Sequence, residues 1–316
     1  MTTQAGAAID LGSTSVHLLI AVPEPSGLVV LEDESAFLGL GAAIDGMGSL
    51  GTEGRATLVA TVGGYVERAR GRGAAHPILI GTEPLRRLGD AALIVAEVSA
   101  ASGVPLVVLE HEEEALLTLI GLTAGAAVAG DLLVVDIGGG SSELVEVGPD
   151  RRARAAGVQV GAGRLTRRIV DHDPPSPEQI ALLRVAADQA FDWTPARPPA
   201  EVVFVGGTAS NLIKLLRRAG DPERPALLDR AALDAVRDLV MATPAGILAE
   251  THGMREARVR LLAAGAAIVE TVLDRVGVAS GRVADSGIRE GAIIAADRAG
   301  ADWRDRLEEL AHGWIG

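Results

Sequence analysis

The feature that most limits what this chain can fold into is a strand, Asp, Gly-rich turn, strand unit that occurs twice. In the first copy, apolar residues 7–9 lead to Asp10. The turn carries Gly12, Ser13, Thr14 and Ser15, and apolar residues return over 16–22. In the second, residues 132–135 lead to Asp136, the turn reads Gly138-Gly139-Gly140-Ser141-Ser142, and a second run returns from Glu143 to 147. Apolar run, polar tip and apolar run together predict a β-hairpin. Two such hairpins about one domain apart predict an internal duplication.

Each hairpin has a chemical use. Glycine lets backbone N–H groups turn inward and approach an anion closely, as in a phosphate nest. An Asp just before the turn can hold a hydrated Mg²⁺ or orient a water. The hydroxyls of Ser13, Thr14, Ser141 and Ser142 add donors. One hairpin is as well explained by a structural turn. Two, one per domain, are expected to face each other and clamp a phosphate chain. Gly206-Gly207-Thr208, between a predicted strand (202–205) and a helix, is a third anion-site candidate, because a helix N-terminus exposes N–H groups. The turn 286–291, with Arg289, reads as a similar strand-to-helix turn or simply a cap.

Around these turns, strands and helices alternate, which indicates α/β domains. Helical spacing over 52–71 (Leu58, Val62, Val66) is followed by a short strand at 77–80, a loop at 81–89 and a helix at 91–102. A strand at 104–109 and a helix from 111 to 121 complete the first domain. In the second, a Pro-rich break at 173–177 precedes a helix over 178–191. Helices dominate from 207 to 276, then a strand and turn occupy 283–291 before a C-terminal helix. The 316 residues suit two domains.

Composition excludes several classes. Without cysteine there is no disulfide, thiolate nucleophile or Cys-ligated metal. The six histidines are scattered without metal-ligand spacing, which argues against a His-ligated metal or a Ser-His-Asp triad. The net charge of −13 argues against a nucleic-acid or membrane binder and makes the placement of arginines informative. The longest uncharged apolar run, 115–130, is too short to span a bilayer. Residues 1–6 do not read as a signal peptide. The chain is expected to be soluble and cytoplasmic, and a homodimer is the expected assembly.

Two further clusters stay open on the residues alone. Glu112-Glu113-Glu114 opens a helix, where acidic residues favour the first turn. Alternatively, one of them points inward as a general base for water. Arg86 and Arg87 lie on a strand-end loop, either solvated or binding phosphate through the guanidinium fork.

Taken together, the motifs resemble the Ppx/GppA family of exopolyphosphatases and guanosine pentaphosphate phosphohydrolases. The resemblance rests on residues 8–15 and 135–144, the Thr82–Asp90 loop, Glu113-Glu114-Ala115, residues 161–166, Gly206-Gly207-Thr208 and residues 286–291, in the family's order. It implies a fold of two actin-like (ribonuclease H-like) α/β domains with an interdomain cleft. The domains would be 1–123 and 124–292, with a C-terminal helix from about 293 to 316 packing back on the first. It also implies Mg²⁺ and attack of water on a terminal phosphoanhydride. By the same resemblance Glu114 is the base and Glu113 its acidic neighbour. Asp10, Asp136 and Glu143 are metal ligands, and Asp136 and Glu143 also belong to the catalytic set. Gly12, Ser13, Thr14, Arg86, Gly138 to Ser142, Gly206 to Thr208 and Arg289 bind substrate. Polyphosphate or guanosine penta- or tetraphosphate is the implied ligand.

Three positions depart from the family pattern, and the last two exchange or remove charge, which bears on catalytic strength and substrate preference. Glu110-His111 stand where a Gly is usual. Leu116 replaces a common Arg, and Arg260 stands where Asp is expected. A non-catalytic sensor of the same ligands is therefore a second reading, and a kinase of the same superfamily a third.

Overall fold

The computed structural model describes residues 4–25, 27–128 and 130–313. The chain divides into two compact units. One takes the described residues up to Val128 together with those from Ser286 on, and the other is Gly130–Asp285.

The first unit is built on β1 (Gly6–Leu11), β2 (Ser15–Glu24) and β3 (Gly27–Phe37), followed by α1 (Leu40–Met47) and α2 (Gly51–Gly71). Then come β4 (Ile78–Gly81), α3 (Glu83–Arg87), α4 (Ala91–Ser102), β5 (Leu106–Val108) and α5 (His111–Thr123). Its sheet order is β3-β2-β1-β4-β5. The β1–β2–β3 meander is antiparallel, while β1, β4 and β5 run parallel. Ile9, Leu11, Val16, Leu18 and Ile20 join Leu58, Val62 and Val66 of α2 in one core.

The second unit repeats that plan with β6 (Leu132–Ile137), β7 (Ser142–Val147), β8 (Ala153–Val158), α6 (Ala162–Ile169), α7 (Pro177–Ala190) and β9 (Glu201–Val205). It continues with α8 (Gly206–Ala219), β10 (Leu227–Asp229), α9 (Arg230–Ala242), α10 (Ala245–Thr251), α11 (Glu256–Val259), α12 (Leu262–Val276) and β11 (Ser280–Val283). The sheet order is β10-β11-β9-β6-β7-β8. Leaving out the edge strand β10, order and directions match those of the first sheet. The duplication read in the two hairpins is thus a duplication of whole sheets. Central strands such as β6 (LLVVDI) and β9 (EVVFV) are near-continuous apolar runs because both faces are covered.

From Ser286 the chain returns to the first unit as α13 (Ile288–Ala299), two short 3₁₀ turns and α14 (Leu307–Ala311). Glycines let α13 pack closely on α5: a Cβ on Gly121 would overlap the Gly287 carbonyl, and one on Gly291 the Leu117 carbonyl. Arg298 then donates to the carbonyls of Ala124 and Gly125, both at 2.8 Å, at the end of α5. The expected helix to 316 runs past Gly313, beyond the described residues.

The structure corrects three local readings. The loop expected over 81–89 contains α3. Five residues are too few to show helical periodicity, and Pro84 is tolerated in the first turn, where N–H groups have no intrahelical partner. The helix-dominated stretch holds the three-residue strand β10. The last strand ends, rather than begins, at Val283.

Candidate active site

In the first unit, β1 carries Asp10 to its C-terminal end, opposite His17 on β2. The turn closes where Gly12 N–H donates to the Ser15 carbonyl at 3.1 Å. The carbonyls of Ser13 and Thr14 accept from Gly41 (2.8 Å) and Gly39 (3.0 Å) at the start of α1. A trans peptide points its N–H opposite its carbonyl, so the amide of Thr14 is directed away from α1. Ser13 Oγ donates to Glu83 Oε2, and both side chains are buried. Thr82 is stitched to the same hairpin, its amide and hydroxyl donating to the Leu11 carbonyl at 3.4 and 3.2 Å. Arg289 on α13 pairs with Asp33 at 2.6 Å. Burial works to lower its pKa, but the charges of Glu290, Asp33 and Asp10 outweigh that and raise it.

One turn along α3, Arg86 reaches α5. Its Nη1 donates to Glu114 Oε1 and to the Leu109 carbonyl (2.5 Å), and its Nη2 lies 3.0 Å from His111 Nδ1. A guanidinium only donates, so His111 accepts through Nδ1. Glu114 is buried and clamped to Arg86, whereas Glu113 faces elsewhere. Its Oε2 accepts from the Glu110 amide at 2.8 Å, closing a capping box, and its carboxylate pairs with Arg304 at 2.5 and 2.8 Å. Burial works to raise the Glu113 pKa. The hydrogen bonds from Arg304 and the Glu110 amide, and the Arg304 and Arg86 charges, outweigh it and hold the carboxyl below its ordinary value.

The second hairpin is built the same way. Gly138 N–H donates to the Ser141 carbonyl at 3.0 Å, the counterpart of the Gly12–Ser15 bond. The carbonyls of Gly138 and Gly139 accept from Ala162 (3.0 Å) and Arg164 (2.8 Å) in the first turn of α6. The amides of Gly139 and Gly140 are therefore directed away from α6. Asp136 stands directly across from Glu143 in the β6–β7 register, where the first hairpin pairs Asp10 with His17. This copy thus sets two carboxylates side by side. Ser142 is fully buried, and its hydroxyl donates to the Val160 carbonyl at 2.7 Å, tying the hairpin to the segment before α6.

The same unit brings the third glycine motif to the second hairpin. Asp136 Oδ1 occupies the space that a Cβ on Gly206 would take, at the N-terminus of α8. Gly206 has φ 86°, a left-handed conformation that only glycine adopts without strain. Thr208 is buried against Gly265 of α12. Sequence reasoning did not single out two residues here and in the first unit. Arg258 lays its Nη1 3.2 Å from where a Cβ of Gly207 would stand, and burial together with the Arg255 charge lowers its pKa. Glu83 is the other. Arg260 pairs with Asp173 at 2.9 Å and Glu256 at 2.6 Å. No helix among the described residues is long and apolar enough to cross a membrane.

The sequence pattern of the Ppx/GppA phosphatase family matches residues 19–297. The chain is 27% identical over 296 residues to Exopolyphosphatase 1 of Mycobacterium leprae, covering 90% of this chain and 87% of that protein. A guanosine-5'-triphosphate,3'-diphosphate pyrophosphatase of Vibrio vulnificus is 31% identical over 149 residues, 47% of this chain and 30% of that one. Among solved structures, an exopolyphosphatase from Cytophaga hutchinsonii superposes with a TM-score of 0.78 at 21% identity, covering 91% of this chain and 96% of that one. The Aquifex aeolicus Ppx/GppA family member does so at 0.76 and 22%, covering 94% and 99%. These structures speak to the fold alone, two actin-like α/β domains. With the family pattern spanning most of its length, the chain belongs to the Ppx/GppA phosphatase family of phosphoanhydride hydrolases.

Proposed function

We propose that this protein hydrolyses the terminal phosphoanhydride bond of inorganic polyphosphate, releasing phosphate by attack of water with Glu114 as general base. The observation that carries the reading is the second hairpin. There Asp136 and Glu143 face each other across the turn, beside the outward-directed amides of Gly139 and Gly140. Those amides, the α8 N-terminus at Gly206-Gly207 and the Arg258 guanidinium together make a positive surface for phosphoryl oxygens in an otherwise acidic chain. The amide of Thr14 adds a donor in the first hairpin. Arg86 orients Glu114, while Glu113 holds α5 and Arg304 together.

Asp136 and Glu143 offer hard carboxylate oxygens that suit Mg²⁺, and Asp136 lies in a space kept open by glycine. When bound there, the ion would neutralise charge on the phosphoryl group. The chain's own part is to bind the phosphate tail through backbone amides and to take the water's proton on the Glu114 carboxylate.

The test is phosphate release from polyphosphate of graded length by the wild type and Glu114→Gln. Loss of a general base is expected to lower turnover by about 10²- to 10⁴-fold. No release from any chain length or from guanosine pentaphosphate would sink the proposal, and so would an unimpaired variant. The Vibrio vulnificus relative favours guanosine pentaphosphate as a second substrate, so the same panel includes it. Saturable binding without turnover would select a sensor instead.

A further inference from the structure

The α3 turn contains a carboxylate that the proposed chemistry does not use. Glu83 is almost wholly buried, reaches across 70 residues of chain to Ser13 Oγ, and accepts its hydroxyl proton. A serine hydroxyl has one proton to give. Ser13 is itself buried, and its carbonyl is held by the Gly41 amide at 2.8 Å. Glu83 is fixed in turn. Its other oxygen meets Arg87 Nε, and Arg87 Nη1 bonds Asp45 Oδ1 at 2.5 Å on α1.

We infer that Glu83 is a specificity-determining residue of the first hairpin: it withdraws the Ser13 hydroxyl as a donor and sets a fixed negative charge beside the slot. This rests on reading that hairpin as a phosphate site. A phosphate oxygen there meets a lone pair instead of an O–H, so Glu83 weakens binding of a fully ionised chain end. Its role is the reverse of a phosphate ligand's.

The experiment is calorimetric titration of tripolyphosphate into wild type, Glu83→Gln, Glu83→Ala and the Glu83→Ala/Ser13→Ala double variant. Thermal unfolding of each confirms the fold, and phosphate release is followed in parallel. Both single variants are expected to bind more tightly, by on the order of tenfold at low salt. The gain should shrink toward physiological ionic strength as screening rises. Adding Ser13→Ala to Glu83→Ala should remove the part of the gain that the freed hydroxyl supplies, because its proton is then absent. A merely structural Glu83 predicts the opposite sign, weaker binding in both single variants, and that result overturns the inference. So does a gain that ignores salt and Ser13. Tripolyphosphate that binds while no polyphosphate of any length and no guanosine pentaphosphate is hydrolysed defeats the proposed function, and the affinities still decide the role of Glu83. No binding by any of the proteins defeats both.

Discussion

Substituting Gly161 by Ala tests whether the second hairpin works through the placement of its backbone amides. Gly161 has φ −141° and ψ 156°, an extended conformation open to any residue, so backbone strain plays no part. What changes is contact. A Cβ there would stand 2.6 Å from three backbone atoms, the carbonyl carbons of Gly139 and Gly140 and the nitrogen of Gly140. That is about 0.8 Å short of the 3.4 Å at which ordinary contact begins, and no flexible side chain lies between to give way. The hairpin tip must therefore move by most of an ångström. Displacements of about 1 Å in positioning groups cost on the order of 10²-fold in rate. Overpacking of this kind costs about 1–3 kcal/mol of stability. The assay is kcat/KM for polyphosphate together with urea unfolding, since the two readouts separate displacement from collapse. A folded Gly161→Ala protein with kcat/KM within twofold of wild type would refute the argument that these amides are placed by α6.

Other perturbations follow from particular contacts. Gly64→Ala, in an exposed stretch of α2 where a Cβ meets nothing within 4 Å, should raise stability by about 0.5–1 kcal/mol and leave kcat/KM alone. A loss of stability on urea unfolding would contradict it. Asp136→Asn and Glu143→Gln should each raise the Mg²⁺ needed for half-maximal phosphate release by at least about tenfold, and an unchanged metal titration counts against them as ligands. Because the Glu113 pKa is depressed in the folded state, its stabilising effect is full above its ordinary value of 4.5 and fades as pH falls through the lower folded value. Thermal unfolding of Glu113→Gln should therefore trail wild type near neutrality and converge with it in acid. Curves that stay parallel would exclude the Arg304 pairing as the cause.

What could be read from the chain, and what could not, follows from how far apart the determinants lie. The hairpins were legible because a Gly-rich tip between apolar strands is local, and because it occurs twice. Sheet order across each unit was not local, yet the duplication implied it once one copy was understood. The three glutamates opening α5 show where such reading stops. Successive residues on a helix point about 100° apart, so at most one of them faces a given neighbour. Spacing cannot say which, because the deciding partners, Arg86 for Glu114 and Arg304 for Glu113, come from α3 and from the returning C-terminal segment. The serines mislead for a related reason. In both tips a hydroxyl counted as a phosphate donor is taken by the protein itself, Ser13 by Glu83 and Ser142 by the Val160 carbonyl. Residue type alone credits every serine of a polar turn with a free proton. The carbonyls show the opposite case. Because α1 and α6 take the carbonyls of the two tips, the amides between them turn outward without any side chain to announce it. The anion site proposed for these loops therefore resides in backbone whose direction is set by helices 20 or more residues away, and in the glycines that let those helices come close.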